Sequence, residues 1–182
     1  VPASWSNPEA DAPKAERTGR PEVVKLVNEL LDPIAKMDGD SLPVSAFTEC
    51  IDGQFVTGAS AYEKRGTAVM VPEWDAEKCI QCNNCAFVCS HATIRPFLLS
   101  DDEVKAAPAN IKLADMKPKG GDYKYTMSVS PLDCMGCGEC ITVCPTAAIS
   151  MVPQESQADE QPVFDYLVAN VGKKDIGLSD IT

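Results

Sequence analysis

Eight of the nine cysteines stand in two runs of one spacing: Cys79, Cys82, Cys85 and Cys89, then Cys134, Cys137, Cys140 and Cys144. A loop that presents a thiolate every third residue can wrap three corners of an iron-sulfur cubane. The fourth thiolate, arriving after the chain has turned, belongs to the neighbouring cluster in chains with two such runs. Applied here, one 4Fe-4S cluster takes Cys79, Cys82, Cys85 and Cys144, and the other takes Cys134, Cys137, Cys140 and Cys89, so each staples one run to the other. Zinc sites of four thiolates usually pair two C-x2-C knuckles across a gap, which would leave a thiolate over in both runs. Disulfides suit so dense a spacing poorly, and a compartment that keeps thiols reduced favours metal. Two linked clusters make a relay for single electrons.

No residue is assigned as acid, base or nucleophile: the thiolates hold iron, while Ile80, Val88, Met135, Ile141 and Val143 exclude water. Gly136 and Gly138 leave bare N–H groups close to the second cluster, where Gln81 and Asn83 make the first loop bulkier, so the two reduction potentials should differ. Cys50 has no companion cysteine and reads as a buried or idle thiol. His91, the one histidine, reads as solvent-facing or backbone-bonded.

The elements that must position these loops form an internal repeat, with Cys79 and Cys134 standing 55 residues apart. Each unit reads as strand, cysteine loop, one helical turn and strand, with Val88, Ala92 and Ile94 matching Val143, Ala147 and Ile149. The fold class expected is α+β, a compact two-cluster domain over 67–153 with pseudo-twofold symmetry. An insertion over 96–124 opens a short helix through a Ser100/Glu103 capping box that Pro108 stops, then continues into an exposed loop at Lys117 to Gly121. Residues 1–20 read as an arm or linker. In the segment 21–66, Pro21 opens a helix of apolar period that Pro33 should end or kink, and turns follow at Asp52-Gly53 and Thr57-Gly58. Residues 154–182 read as an acidic tail or linker, whose Val163, Phe164, Leu167 and Val168 dock on a partner or form a helix closing the domain.

The 182-residue chain carries 16 Lys and Arg against 27 Asp and Glu, a net charge of −11, which repels nucleic acid and anionic lipid. No apolar run is long enough to span a membrane, and the first residues carry neither a basic leader nor an apolar stretch, so a cytoplasmic location is expected. Hydrophobic residues make up 45% but aromatics only 6%, a thin core that one compact domain would reinforce with its clusters.

Taken together, residues 58–97 (GASAYEKRG through IRPF) and 132–149 (LDCMGCGECITVCPTAAI) resemble pyruvate:ferredoxin (flavodoxin) oxidoreductase, with Glu63-Lys64-Arg65 similar to that family's short linking domain. The resemblance implies a parent enzyme of anaerobic metabolism, a homodimer that converts pyruvate and CoA to acetyl-CoA and CO2 with thiamine diphosphate, Mg2+ and three 4Fe-4S clusters. Electrons would leave singly for ferredoxin or flavodoxin. This chain would hold the two outer clusters and would not turn over pyruvate alone. It departs from the pattern at Ser90, where the run usually continues with proline, as at Pro145. Lys117, Lys119 and Lys124 are candidate contacts for an acidic carrier. The alternatives are an iron-sulfur subunit of another multi-subunit oxidoreductase, and a non-redox scaffold stabilised by clusters.

Overall fold

A computed structural model describes residues 16–117 and 122–174 of the chain. The chain divides into two units, Val1–Lys64 and Arg65–Thr182, rather than one domain with appendages.

In the first unit, Pro21 starts helix α1 (Pro21–Leu26), where its missing N–H costs nothing. Pro33 does not end the helical path. The chain widens into a π turn over Val27–Leu31 and resumes as α2 (Asp32–Ala35). A proline ring clashes with the carbonyl four residues back, and the wider turn makes room for it. Val23, Val27 and Leu30, three to four residues apart, are buried. Arg17 ties down this helix through Asp32 at 2.7 Å, and Tyr62 donates to the Thr18 carbonyl at 2.8 Å. Three 3-10 segments, the longest over Val44–Cys50, follow among the described residues of the unit, and the expected turns carry Gly53 at φ 78° and Gly58 at φ 102°. Among its exposed large apolar residues are Val44, Phe47, Ile51 and Phe55.

The second unit holds both cysteine runs. Strand β1 (Met70–Trp74) leads into the first run, α3 (Asn84–Val88) closes it, and β2 (Ile94–Leu99) follows. The insertion contributes α4 (Asp101–Ala106) and the two-residue strand β3 (Ala114–Asp115). Ser100 and Glu103 form the anticipated capping box, and the helix ends just before Pro108. Then come β4 (Lys124–Val129), α5 (Glu139–Thr142), β5 (Ile149–Pro153) and α6 (Glu160–Asn170).

Strand pairing crosses between the runs: β1 lies antiparallel to β5 with Trp74 opposite Ile149, and β2 lies antiparallel to β4 with Ile94 opposite Val129. The loop bonds match as well, Asp75 N–H donating to the Ala148 carbonyl at 2.8 Å and Ser130 N–H to the Thr93 carbonyl at 2.7 Å. Trp74, Ile94, Tyr125, Met127, Val129 and Ile149 form a core together with Cys85 and Cys140.

The stretch read as an acidic tail contains α6, which buries Val163, Phe164 and Leu167. Leu167 and Val163 pack with Leu99 beneath the insertion. Burial of roughly 1.5–3 kcal/mol per large apolar side chain is what makes this segment helix rather than linker. Residues 1–15 of the expected arm, 118–121 of the expected exposed loop and 175–182 of the expected tail lie outside the described residues.

Candidate iron-sulfur centres

Each cysteine run follows a β-strand, so its loop starts from a fixed point, and each ends in a single helical turn that brings the third cysteine inward. Cys85 and Cys140 are buried at these turns, while Cys82 and Cys137 at the loop crests are exposed. To present their thiols, the loops pass through left-handed backbone at matching positions: Gln81 (φ 62°) with Gly136 (φ 68°), Asn83 (φ 62°) with Gly138 (φ 77°), and Ala92 with Ala147 (both φ 51°). That conformation costs an ordinary residue roughly 1–2 kcal/mol, so something must hold Gln81 and Asn83 in it.

The structure brings the eight thiols together in two sets. One cavity is lined by Cys79, Cys82, Cys85 and Cys144, and a second by Cys89, Cys134, Cys137 and Cys140. Each set combines three cysteines of one run with the fourth of the other. Among the described residues, no group of three Cys, His, Asp or Glu side chains is placed to hold a metal ion at a single point. The thiols instead face a shared volume, which suits a polynuclear core that keeps its thiolates apart. Trp74 also lines the first cavity, and its buried indole N–H has no acceptor among the described residues, as a donor kept for a sulfur would. The donor set and the orphaned N–H fit an iron-sulfur cluster.

Hydrogen bonds to sulfur recur at matching positions. Gln81 N–H reaches Cys79 Sγ at 3.3 Å and Gly136 N–H reaches Cys134 Sγ at 3.4 Å. Thr93 N–H reaches Cys89 Sγ at 3.4 Å and Ala148 N–H reaches Cys144 Sγ at 3.2 Å. The expectation that the glycines set the second loop apart by baring its N–H groups is therefore corrected. Backbone direction, not side-chain size, aims the donor, and Gln81 aims it as Gly136 does.

Burial pushes the Cys85 and Cys140 thiols up to about 11 and raises that of Cys134. Burial opposes ionisation of Cys89 and Cys144 too. There, hydrogen bonds from the Thr93 hydroxyl and neighbouring N–H groups, and from Thr146, Ala148 and Ile149, outweigh it and lower both thiols. Metal ligation would need the thiolate, and burial makes that form costly at Cys85, Cys134 and Cys140.

Two differences between the loops escaped the sequence reading. Gln81 donates to the Asp115 carbonyl at 2.7 Å and accepts from Lys117 N–H at 2.8 Å, while Asn83 accepts from the Tyr125 hydroxyl at 2.8 Å. These bonds hold the two non-glycine residues in left-handed backbone. Burial, and then the charges of Cys79, Cys85 and Cys82, push the Tyr125 phenol far above its ordinary range, so it stays a donor. No such side chain exists at Gly136, where the fit is by contact: a Cβ would meet the Met70 carbonyl oxygen at 3.0 Å and the Ala68 Cβ at 3.3 Å.

The other expected residues fall as follows. Val88 and Ile141 pack against the core, whereas Ile80 and Met135 line the cavities but are 50% and 56% exposed, so they shield only one side. Val143 is partly buried. His91 is exposed and bonds Ser90 Oγ through Nδ1 at 3.1 Å rather than the backbone. Cys50 is half-buried. Lys117 donates to the Cys79 carbonyl at 3.0 Å and Lys124 pairs with Asp115 at 2.6 Å, while Lys119 lies outside the described residues. A separate cavity of about 450 Å³, lined by residues including Phe97, Met116 and Lys174, contains none of the cysteines. Among the described residues no helix is long and apolar enough to cross a membrane.

Residues 78–148 match a family described as a 4Fe-4S dicluster domain, and residues 9–68 match the EKR family, described as a domain of unknown function. The second unit thus contains a 4Fe-4S dicluster domain of mixed helix and strand. Over nearly its whole length the chain is homologous to a segment of the pyruvate:ferredoxin (flavodoxin) oxidoreductases. It is 43% identical over 173 residues to the pyruvate-flavodoxin oxidoreductase of Klebsiella pneumoniae, and 46% identical over 169 residues to the pyruvate:ferredoxin oxidoreductase of Moorella thermoacetica. These alignments cover 93% and 91% of this chain but only 14% of each relative. A pyruvate dehydrogenase [NADP(+)] of Cryptosporidium parvum is 43% identical over 152 residues, 81% of this chain and 8% of that protein. The chain spans about one-seventh of the length of each of the first two relatives.

Proposed function

We propose that this chain is the electron-transfer module of a pyruvate:ferredoxin (or flavodoxin) oxidoreductase, built around two 4Fe-4S clusters. The observation that carries this reading is the sorting of eight thiols into two cavities, each taking three cysteines from one run and one from the other. On this reading Cys79, Cys82, Cys85 and Cys144 hold the first cluster, and Cys134, Cys137, Cys140 and Cys89 the second. The crossed strand pairing and the matched N–H to sulfur bonds support a pseudo-twofold relation between the runs.

When bound, each cluster supplies a one-electron couple. The chain's own residues fix its position: buried Cys85 and Cys140 anchor the inner corners, and exposed Cys82 and Cys137 bring the outer corners to the surface, where an electron can leave for a carrier. No proton is moved by a side chain.

In the parent enzyme, electrons would come from pyruvate oxidation at thiamine diphosphate and Mg2+, with CoA taking the acetyl group, through a third 4Fe-4S cluster. They would pass to ferredoxin or flavodoxin in the cytoplasm, from a homodimer. The exposed apolar residues of the first unit suit burial against the remaining domains.

Anaerobic reconstitution with iron and sulfide tests the reading. About eight irons per chain, with a spin-coupled resonance spectrum after dithionite reduction, supports it. Uptake of zinc without sulfide would refute it.

A further inference from the structure

Among the described residues, the buried side-chain polar atoms without a hydrogen-bond partner are the Trp74 indole N–H and the Ser128 hydroxyl, and Trp74 lines the cavity of Cys79, Cys82, Cys85 and Cys144. Burying an N–H without an acceptor costs free energy, so the group calls for a partner from outside the chain. Packing holds the ring where it is. Trp74 ends β1 opposite Ile149, is 4% exposed, and stands edge-on to Tyr125 with ring centroids 6.0 Å apart. Met127 and Ile149, which join it in the core, line the same cavity. Thr126 and Glu160 border Trp74 on another, smaller cavity, and neither accepts its N–H.

The second set of thiols has no such donor at the matching place. Asp75 N–H and Ser130 N–H donate to the Ala148 and Thr93 carbonyls, equivalent bonds that align Trp74 with Val129. Trp74 and Val129 also stand 55 residues apart, as Cys79 and Cys134 do. Valine has no side-chain donor, and Val129 does not line the cavity of Cys89, Cys134, Cys137 and Cys140. Backbone N–H bonds to Cys79, Cys89, Cys134 and Cys144 occur in both runs, so the indole is an addition to one of them.

An N–H aimed at a cluster sulfur favours the reduced form, which carries one more negative charge, and a dry wall such as that of Met127 and Ile149 strengthens the bond. We infer, resting on the two-cluster reading above, that the Trp74 indole donates a hydrogen bond to a sulfur of the centre held by Cys79, Cys82, Cys85 and Cys144, and raises the potential of that centre alone. Cysteine thiolate and inorganic sulfide are the acceptors that such a centre brings to the cavity.

The test takes two measurements on the reconstituted full chain. Trp5→Phe leaves Trp74 as the one tryptophan. Labelled with nitrogen-15 at the indole and reduced with dithionite, that chain should show an isotropic nitrogen-15 coupling in pulsed paramagnetic resonance. In Trp74→Phe, one midpoint of a redox titration should fall by about tenfold in the reduction equilibrium, which is 59 mV for one electron, while the other midpoint stays. A packing role alone would lower the melting temperature, give no coupling and move neither midpoint by itself. Absence of the coupling in a Trp5→Phe chain that holds about eight irons overturns the indole bond, even where Trp74→Phe fails to fold. A Trp74→Phe chain with that iron content in which both midpoints move, or neither does, overturns it too, and both results leave the two-cluster reading standing. A wild type without those irons overturns the two-cluster reading, and the indole bond with it.

Discussion

Replacing Gly136 by alanine should damage the second loop far more than the same change at Gly138, although the two glycines are separated by one residue and both have left-handed backbone. Gly136 stands at φ 68° and Gly138 at φ 77°, so each alanine takes on a strain of roughly 1–2 kcal/mol. Space separates them. A Cβ at 138 meets nothing within 4 Å, whereas one at 136 meets the Met70 carbonyl oxygen at 3.0 Å and the Ala68 Cβ at 3.3 Å. Both neighbours are in or beside β1, which β5 pins along its length, so the loop rather than the strand must give. Forcing a methyl into filled space adds roughly 1–3 kcal/mol, for a total of about 2–5 kcal/mol at Gly136. That is a large fraction of the roughly 5–15 kcal/mol that holds an ordinary domain together. Moving the loop also turns the Gly136 N–H away from Cys134 Sγ, so the loss should register at the second centre. The assay is anaerobic heating of the reconstituted chain, read by the loss of visible absorbance, with iron content measured beforehand. At roughly 4 °C per kcal/mol, Gly138→Ala should melt a few degrees below the wild type. Gly136→Ala should melt about 8–20 °C below it and hold less iron. Equal losses at the two positions would refute the argument from close approach and leave backbone strain as the whole effect.

Leu167→Ala should cost about 2–5 kcal/mol, because the side chain is fully buried against Leu99 and Val163, and should leave the iron content of the folded protein unchanged; a surface-like loss under 0.5 kcal/mol in a denaturation series would show that α6 does not close the domain. Glu160 has its carboxyl raised above the ordinary 4.5, by burial first and then by Glu73 and Asp159 against the opposing Lys112. A raised carboxyl makes the charged form a liability in the fold, one that is present above the folded value and vanishes as pH falls through the unfolded one. Glu160→Gln should therefore stabilise the chain at pH 7, on the order of 0.5 kcal/mol, with the gain gone below about pH 4. Melting curves at the two pH values check the sign, and a gain at low pH instead would reverse it.

The features legible in the sequence were those whose physics is local. Cysteine spacing is set by the reach of a loop, so the runs Cys79 to Cys89 and Cys134 to Cys144 foretold the two sets of thiols that the structure brings together. The capping box at Ser100 and Glu103 closes within one helical turn and was equally plain. Pro33 announced an interruption of the helix, but the form of that interruption, the π turn over Val27–Leu31, carries no residue signature of its own. Residues 160–170 left two readings open, a partner's docking segment or a helix closing the domain, because a short apolar series does not say what covers it; Leu99 and the strands beneath do. The bonds from Gln81 to Asp115 and Lys117 span more than thirty positions and join a side chain to backbone, which leaves no periodicity to read.

The two loops also show how one backbone path can be held in two ways with different consequences. At Gly136 the path is fixed by excluding a side chain, which leaves little room for variation. At Gln81 it is fixed by a side chain that reaches out, which ties the loop to whatever the insertion carries. Crossed strands and matched N–H donors treat the two sets of thiols alike, so what distinguishes them must come from something that only one loop touches. The insertion is such an element: it reaches the first loop through the Asp115 carbonyl and through Lys117, and has no counterpart at Gly136, where the path is held by close contact alone.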